Sequence, residues 1–277
     1  MFQRVLTAGI ALIILAPFLI FSGTFMLEIF IIVMGTVAVY ELLDCLGLKK
    51  QFHISIPSYF LSFSVPLLAR HIQDKNLLFK ILFFLFFIFM FYLMVVAVSS
   101  KRNISLNDIA VAYMAIIYII FSFTSIILLR DSNYGEYVFL LVFISAWMTD
   151  TGAFLIGIKF GRHKLIKEVS PKKTIEGAVG GIVVCILSFC VYGFIIGWIF
   201  EATPKYLPLI IVAFVMSIIS VCGDLIASLI KRNYNIKDFG GVFPGHGGVL
   251  DRFDSIIATA PFLYILYSAL PYFEIFF

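Results

Sequence analysis

LLFKILFFLFFIFMFYLMVVAV, Leu77 to Val98, carries a single charge, Lys80, in an otherwise apolar run rich in phenylalanine. As a helix it is long enough to cross the hydrocarbon core of a bilayer, about 30 Å thick. The rest of the chain is built from the same material. Its 277 residues are 62% hydrophobic and 13% charged, with a mean hydropathy of +1.09, and that leaves too little polar surface to cover a soluble globule. The fold class this predicts is an all-α polytopic membrane protein.

Working outward, Val5 to Leu43 is too long for one span and must turn, best at Ser22-Gly23-Thr24. Ile54 to Ala69 is a short, weak candidate containing Pro57 and Pro66. Leu106–Leu129, Tyr137–Ile158, Ile175–Phe200, Tyr206–Ile230 and Ser255–Phe276 follow, for about nine spans. The N-terminus has the look of a signal peptide, but no small-residue cleavage site leads into a soluble domain, so it reads as a retained span. Assigning the loops alternately to two sides puts fifteen Lys and Arg on one side and five on the other. That asymmetry places the N-terminus and both large polar loops in the cytoplasm and the C-terminus outside. Two parts are expected: N-terminal transmembrane helices over 1–135 and a catalytic transmembrane region over 136–277.

Cys45, Cys185, Cys190 and Cys222 lie in or beside apolar segments without CxxC spacing, so neither a disulfide nor zinc is implied. The net charge of +4 does not point to nucleic acid, because in a membrane protein the placement of charges matters more than their sum.

Charge is concentrated in two places. The first is SLIKRNYNIKDFGGVFPGHGGVLDRFD, Ser228 to Asp254, with Asp224 just before it. Asp251 and Asp254 are three apart where an apolar run begins, so on a helix they share a face at its first turn, a geometry suited to a divalent cation. Glycines including Gly247 let backbone N–H groups approach an anion, while Lys231, Arg232, Lys237 and Arg252 can neutralise phosphate. The competing reading is a solvated loop whose cations set topology and touch anionic lipid. The second place is DTGAFLIGIKFGRHKLIKEVSPKKTIE, Asp150 to Glu176. On continuing helices Asp150 would lie about 13 Å, and Asp224 about 10 Å, inside the cytoplasmic end. Carboxylates at that depth are costly unless they line a wet cavity or meet a cation. Ser170-Pro171 reads as a helix start after which Lys172, Lys173 and Thr174 present donors to phosphate. Gly177 with Gly181, and Gly193 with Gly197, give GxxxG spacings suited to close helix packing, within the subunit or in a homodimer. Hard carboxylate oxygens favour Mg²⁺ or Mn²⁺, and the number of cations is left open.

The string S-L-I-K-R, four residues, K-D-F-G-G-V-F-P-G-H-G-G-V-L-D-R-F-D resembles the signature of the phosphatidate cytidylyltransferase, or CDP-diglyceride synthase, family. DTGA at 150–153 and SPKKTIEG at 170–177 are similar to further segments of it, with Phe154 where the family often has tyrosine. The resemblance covers the C-terminal half. It implies cytidylyl transfer from CTP to phosphatidic acid, with Asp224, Asp251 and Asp254 as metal ligands. It also implies phosphate contacts from Lys173, Lys231, Arg232 and Lys237, and a site shaped by Asp150, Ser170, Asp238 and His246. The alternatives are a related CTP-dependent lipid enzyme, such as a CDP-archaeol synthase or polyprenol kinase, and a cation-coupled transporter using Asp150 and Asp224. A CDP-alcohol phosphotransferase is excluded by the lack of DGxxAR.

Overall fold

The computed structural model describes residues 15–100, 104–201, 203–243 and 247–269. They fall into two compact units, 15–133 with 233–253, and 134–232 with 254–269.

In the first unit, residues 15–20 are helical and the chain turns at 21–24, where the sequence predicts a turn. Thr24 caps α1, Phe25–Cys45, its hydroxyl accepting from the Met26 amide at 3.2 Å. Two arginines hold the turn shut. Arg70 Nη2 donates to the carbonyls of Ser22 and Gly23 at 3.5 and 3.1 Å, and Arg130 Nε donates to Ser22 Oγ at 2.8 Å. Arg70 also lies 3.9 Å from Glu28 and 3.8 Å from Asp131, so backbone oxygens left open by the turn are met by a charged donor that is itself paired.

α2, Phe52–His71, is continuous through Pro57 and Pro66 and is longer than the weak span expected from those prolines. A proline removes the hydrogen bond to the carbonyl four residues back. For Pro57 that is His53, whose carbonyl oxygen accepts from the Tyr92 hydroxyl at 2.9 Å. The freed acceptor is re-satisfied by a neighbouring helix, which is how prolines are tolerated in membrane spans. Tyr92 belongs to α3, Lys75–Ser99, which starts on an Asp74 cap and buries only Leu78, Phe89 and Leu93. Its remaining phenylalanines suit contact with lipid tails. α4, Leu106–Arg130, opens on a full Ser105–Asp108 capping box and buries thirteen residues, so it is the packed centre against α1, α2 and α3.

The second unit contains one turn of helix, α5 (Gly135–Val138), then α6 (Leu140–Phe160), a two-stranded antiparallel hairpin β1 (Lys164–Ile166) and β2 (Ser170–Thr174), α7 (Ile175–Ile199) and α8 (Tyr206–Asn233). α9, Leu250–Ala269, starts in the first unit and continues in the second. α7 packs along α6 at glycine contacts: a Cβ on Gly181 would stand 2.6 Å from the Thr149 carbonyl oxygen, and one on Gly177 2.7 Å from that of Ala153. This GxxxG spacing is therefore used inside the chain. The hairpin corrects the expected helix start at Ser170-Pro171. Those residues pair with β1, in register Lys164 to Thr174 and Ile166 to Ser170, and the helix waits for Thr174, whose hydroxyl accepts from the Gly177 amide at 3.1 Å.

Seven helices among the described residues are long and apolar enough to cross a membrane, and the chain is an integral membrane protein. Of the nine expected spans, the first lies mostly outside the described residues, and the last is described as far as Ala269.

Candidate active site

Within the second unit a cavity of about 510 Å³ opens between α6, the hairpin, α7 and α8, a volume typical of small-ligand sites. Its lining mixes charged residues, Asp150, Asp224, Lys164, Lys172 and Lys173, with apolar ones, Phe154, Ile158 and Val221 among them. Each part has a local cause. α6 ends in a basic turn, and the hairpin folds Lys164, Lys172 and Lys173 back over the helix ends. Glu176 anchors that fold: its carboxylate accepts from the amides of Arg162 and His163 at 3.1 and 3.2 Å, and its Oε1 lies 2.6 Å from His163 Nδ1.

Lys173 Nζ lies 2.5 Å from Asp224 Oδ2, each side chain about one quarter exposed. The other oxygen of Asp224 accepts from Ser228 Oγ at 3.3 Å. Asp150 is reached by Ser255 Oγ, 3.4 Å from its Oδ2, and that hydroxyl also lies 3.2 Å from the Ser220 carbonyl. Ser255 thus ties α6, α8 and α9 together. Asp254, in the first turns of α9, lies within electrostatic reach of Asp224, Asp150 and Lys231. Three carboxylates from three helices share one electrostatic neighbourhood with two lysines.

In the first unit the glycine-rich loop and the start of α9 have their own arrangement. Asp251, buried, accepts on Oδ2 from the Phe239 amide at 2.8 Å and the Gly248 amide at 3.0 Å. Glu41, from α1, accepts from the Val249 amide on Oε1 and the Leu250 amide on Oε2, both at 2.9 Å. Gly247 has φ +85° and packs on Asp251. Lys237, Asp238 and Arg252 are exposed. His246 lies outside the described residues.

The sequence-predicted residues are therefore distributed. Asp150, Lys172, Lys173, Thr174 and Asp224 line the cavity; Ser170 stands on β2, and Lys231 and Arg232 close α8. Asp251 and Asp254, three residues apart on α9, point their carboxylates at different partners. Among the described residues no group of three or more His, Cys, Asp or Glu is gathered tightly enough to hold a metal ion. Lys164, Ser255 and Glu41 were not singled out from the sequence. Lys164 was legible only as a topology charge, since its place beside Lys172 and Lys173 needs the hairpin.

A family model described as "Cytidylyltransferase family" matches residues 2–270. The chain belongs to the cytidylyltransferase family. It is 32% identical over 276 residues to a phosphatidate cytidylyltransferase of Bacillus subtilis, covering 95% of this chain and 96% of that one. It is 36% identical over 267 residues to one of Staphylococcus haemolyticus, covering 95% and 97%. A third, from Staphylococcus aureus, is 34% identical over 274 residues, covering 95% and 97%. The match to this nucleotidyltransferase family runs through both units, including the N-terminal helices that the sequence motifs leave out. With bacterial relatives and apolar helices throughout, the protein is integral to a bacterial cell membrane.

Proposed function

We propose that the chain is a phosphatidate cytidylyltransferase, converting CTP and phosphatidic acid to CDP-diacylglycerol and pyrophosphate. The observation that carries this is the cavity of about 510 Å³ lined by three lysines and two aspartates together with apolar side chains, in a member of this family. Such a mixed lining suits a reaction between a soluble nucleotide and a lipid phosphate.

The phosphatidate phosphomonoester is already an anion. Its oxygen forms the bond to the α-phosphorus of CTP, the α–β anhydride breaks, and pyrophosphate leaves with the electron pair. No strong base is needed; charge neutralisation and alignment are. Lys173, held on Asp224, and Lys164 and Lys172 beside it, are placed to neutralise phosphate oxygens and to reduce repulsion between the two anionic substrates. Phe154 and Ile158 offer apolar surface to a lipid chain.

A divalent cation, Mg²⁺ or Mn²⁺, fits the donor chemistry here. Mg²⁺ is commonly bound through one or two carboxylates, substrate phosphates and water, and Asp224, Asp254 and Asp150 are carboxylates in one electrostatic neighbourhood. Bound there, it would offset the charge that develops on the departing pyrophosphate. Lys231, Arg232 and Lys237 are proposed as further phosphate contacts, and the catalytic loops are proposed to face the cytoplasm, where CTP is.

The test is purified protein with labelled CTP and phosphatidate. CDP-diacylglycerol and pyrophosphate should form, EDTA should stop turnover, ATP and GTP should not replace CTP, and added pyrophosphate should regenerate CTP from the lipid product. Diacylglycerol should be inert. Phosphorylation of diacylglycerol or polyprenol with release of CDP would instead make the protein a lipid kinase.

A further inference from the structure

Glu41 sits in the last two turns of α1 with 1% of its surface exposed. A buried carboxylate needs strong donors, and the donors here come from the other end of the sequence. The Val249 and Leu250 amides, 208 and 209 residues away, each donate to one of its oxygens at 2.9 Å. These belong to the opening of α9, where backbone N–H groups have no partner within the helix. The adjoining Gly248 amide goes to Asp251, which also takes the Phe239 amide. Four amides of the loop are thus held by two carboxylates.

The glycines of the loop fit around Glu41. A Cβ on Gly240 would stand 2.5 Å from Glu41 Oε1, and one on Gly248 would lie closer still to both carboxylate oxygens. These glycines leave the space that a carboxylate from another helix occupies.

We propose that Glu41 is a positioning residue: a cap supplied in trans by α1 that fixes the glycine-rich loop and the first turn of α9. By that route it sets where Lys237, Asp238 and Asp251 stand. The inference rests on the proposed function for the importance of that loop to phosphate binding, but its geometry can be tested without that reading. It acts not on substrate but through the Val249 and Leu250 amides.

Two measurements on full-length protein in detergent test this. Glu41→Gln keeps the volume but cannot accept from two amides without turning its own NH₂ toward one of them, and removing a single hydrogen bond to a charged group commonly costs about tenfold. It should lower kcat by about tenfold or more and raise the half-saturating Mg²⁺ and CTP concentrations. Gly248→Ala should do the same in the wild-type background, because its methyl group displaces the carboxylate, and should cost almost nothing further in Glu41→Ala, where the space is empty. Independent effects that multiply, or a Glu41→Gln enzyme with wild-type kcat and unchanged Mg²⁺ and CTP dependence, would overturn the proposal. The second measurement needs no activity: hydrogen exchange at the Phe239, Gly248, Val249 and Leu250 amides should rise in Glu41→Gln while α4 stays protected. If the protein made no CDP-diacylglycerol but exchange rose only in this loop, the proposed function would fail and the positioning role would stand; unchanged exchange would sink the role itself.

Discussion

At the scale of single residues, the Lys173–Asp224 contact at 2.5 Å offers the most direct separation of stability from chemistry. Both side chains are about one quarter exposed, and ion pairs with that much access to solvent contribute at most about 1 kcal/mol to folding. Asp224→Asn should therefore leave the thermal midpoint within a few degrees of wild type while lowering CDP-diacylglycerol formation by about 100-fold or more, the usual cost of a group acting on the transition state. Lys173→Ala should behave alike. An Asp224→Asn protein with more than about a tenth of wild-type turnover would remove Asp224 from the proposed metal site. Both residues were legible in the sequence, since they stand in charged segments that interrupt apolar runs, although their contact was not. Glu41 was illegible for a physical reason: its partners are main-chain amides more than two hundred residues away, and a backbone donor leaves no residue type to read. Asp251 was singled out in the sequence, but its contacts with the Phe239 and Gly248 amides were hidden for the same reason. Its spacing to Asp254 suggested a shared cation face, but spacing on a helix fixes where a side chain begins and not which donors reach it first.

At the scale of elements, apolar length fixed most of the spans, because every backbone group in hydrocarbon must be satisfied within its own helix. The weak points were those where another element supplies the missing partner. Pro57 argued against a full span, and the Tyr92 hydroxyl on His53 removes the objection. Tyr92→Phe should then lower stability in detergent by about 1 kcal/mol, the typical cost of leaving an acceptor unmet, and the effect should shrink when Pro57→Ala restores an amide donor to the helix. A Tyr92→Phe protein as stable as wild type would leave the continuity of α2 unexplained. The hairpin escaped notice because β1 spans only three residues, Lys164–Ile166, too few for an alternating pattern, while Ser170-Pro171 mimics a helix start. Packing of α7 on α6 was better signalled by Gly177 and Gly181. Gly181→Val would drive a branched side chain into the Thr149 carbonyl, 2.6 Å from the first added carbon. A clear drop in folded yield is expected, whereas Gly241→Val, at a position with nothing within 4 Å, should fold normally.

At the scale of the whole molecule, the expected topology rests on fifteen basic residues against five, and the fold adds a local check on it. Arg70 and Arg130, both assigned to the sparse side, meet at the same turn, through Ser22 and Gly23. Two loops far apart in sequence thus lie at one end of the first unit, as alternate crossing requires. Lys164 and Asn235 are expected on the opposite, dense side, because two candidate spans, α7 and α8, separate them in the chain. Since CTP and the proposed phosphate-binding lysines have to share that face, topology and function stand or fall together. Single cysteines at Lys164 and Asn235, in a background with Cys45, Cys185, Cys190 and Cys222 replaced, should resist a membrane-impermeant maleimide in intact cells and react once the membrane is opened. A cysteine replacing Asp131, next to Arg130, should react from outside. Labelling of Asn235→Cys in intact cells would reverse the orientation and, with it, separate the lysine-lined cavity from the compartment that supplies the nucleotide.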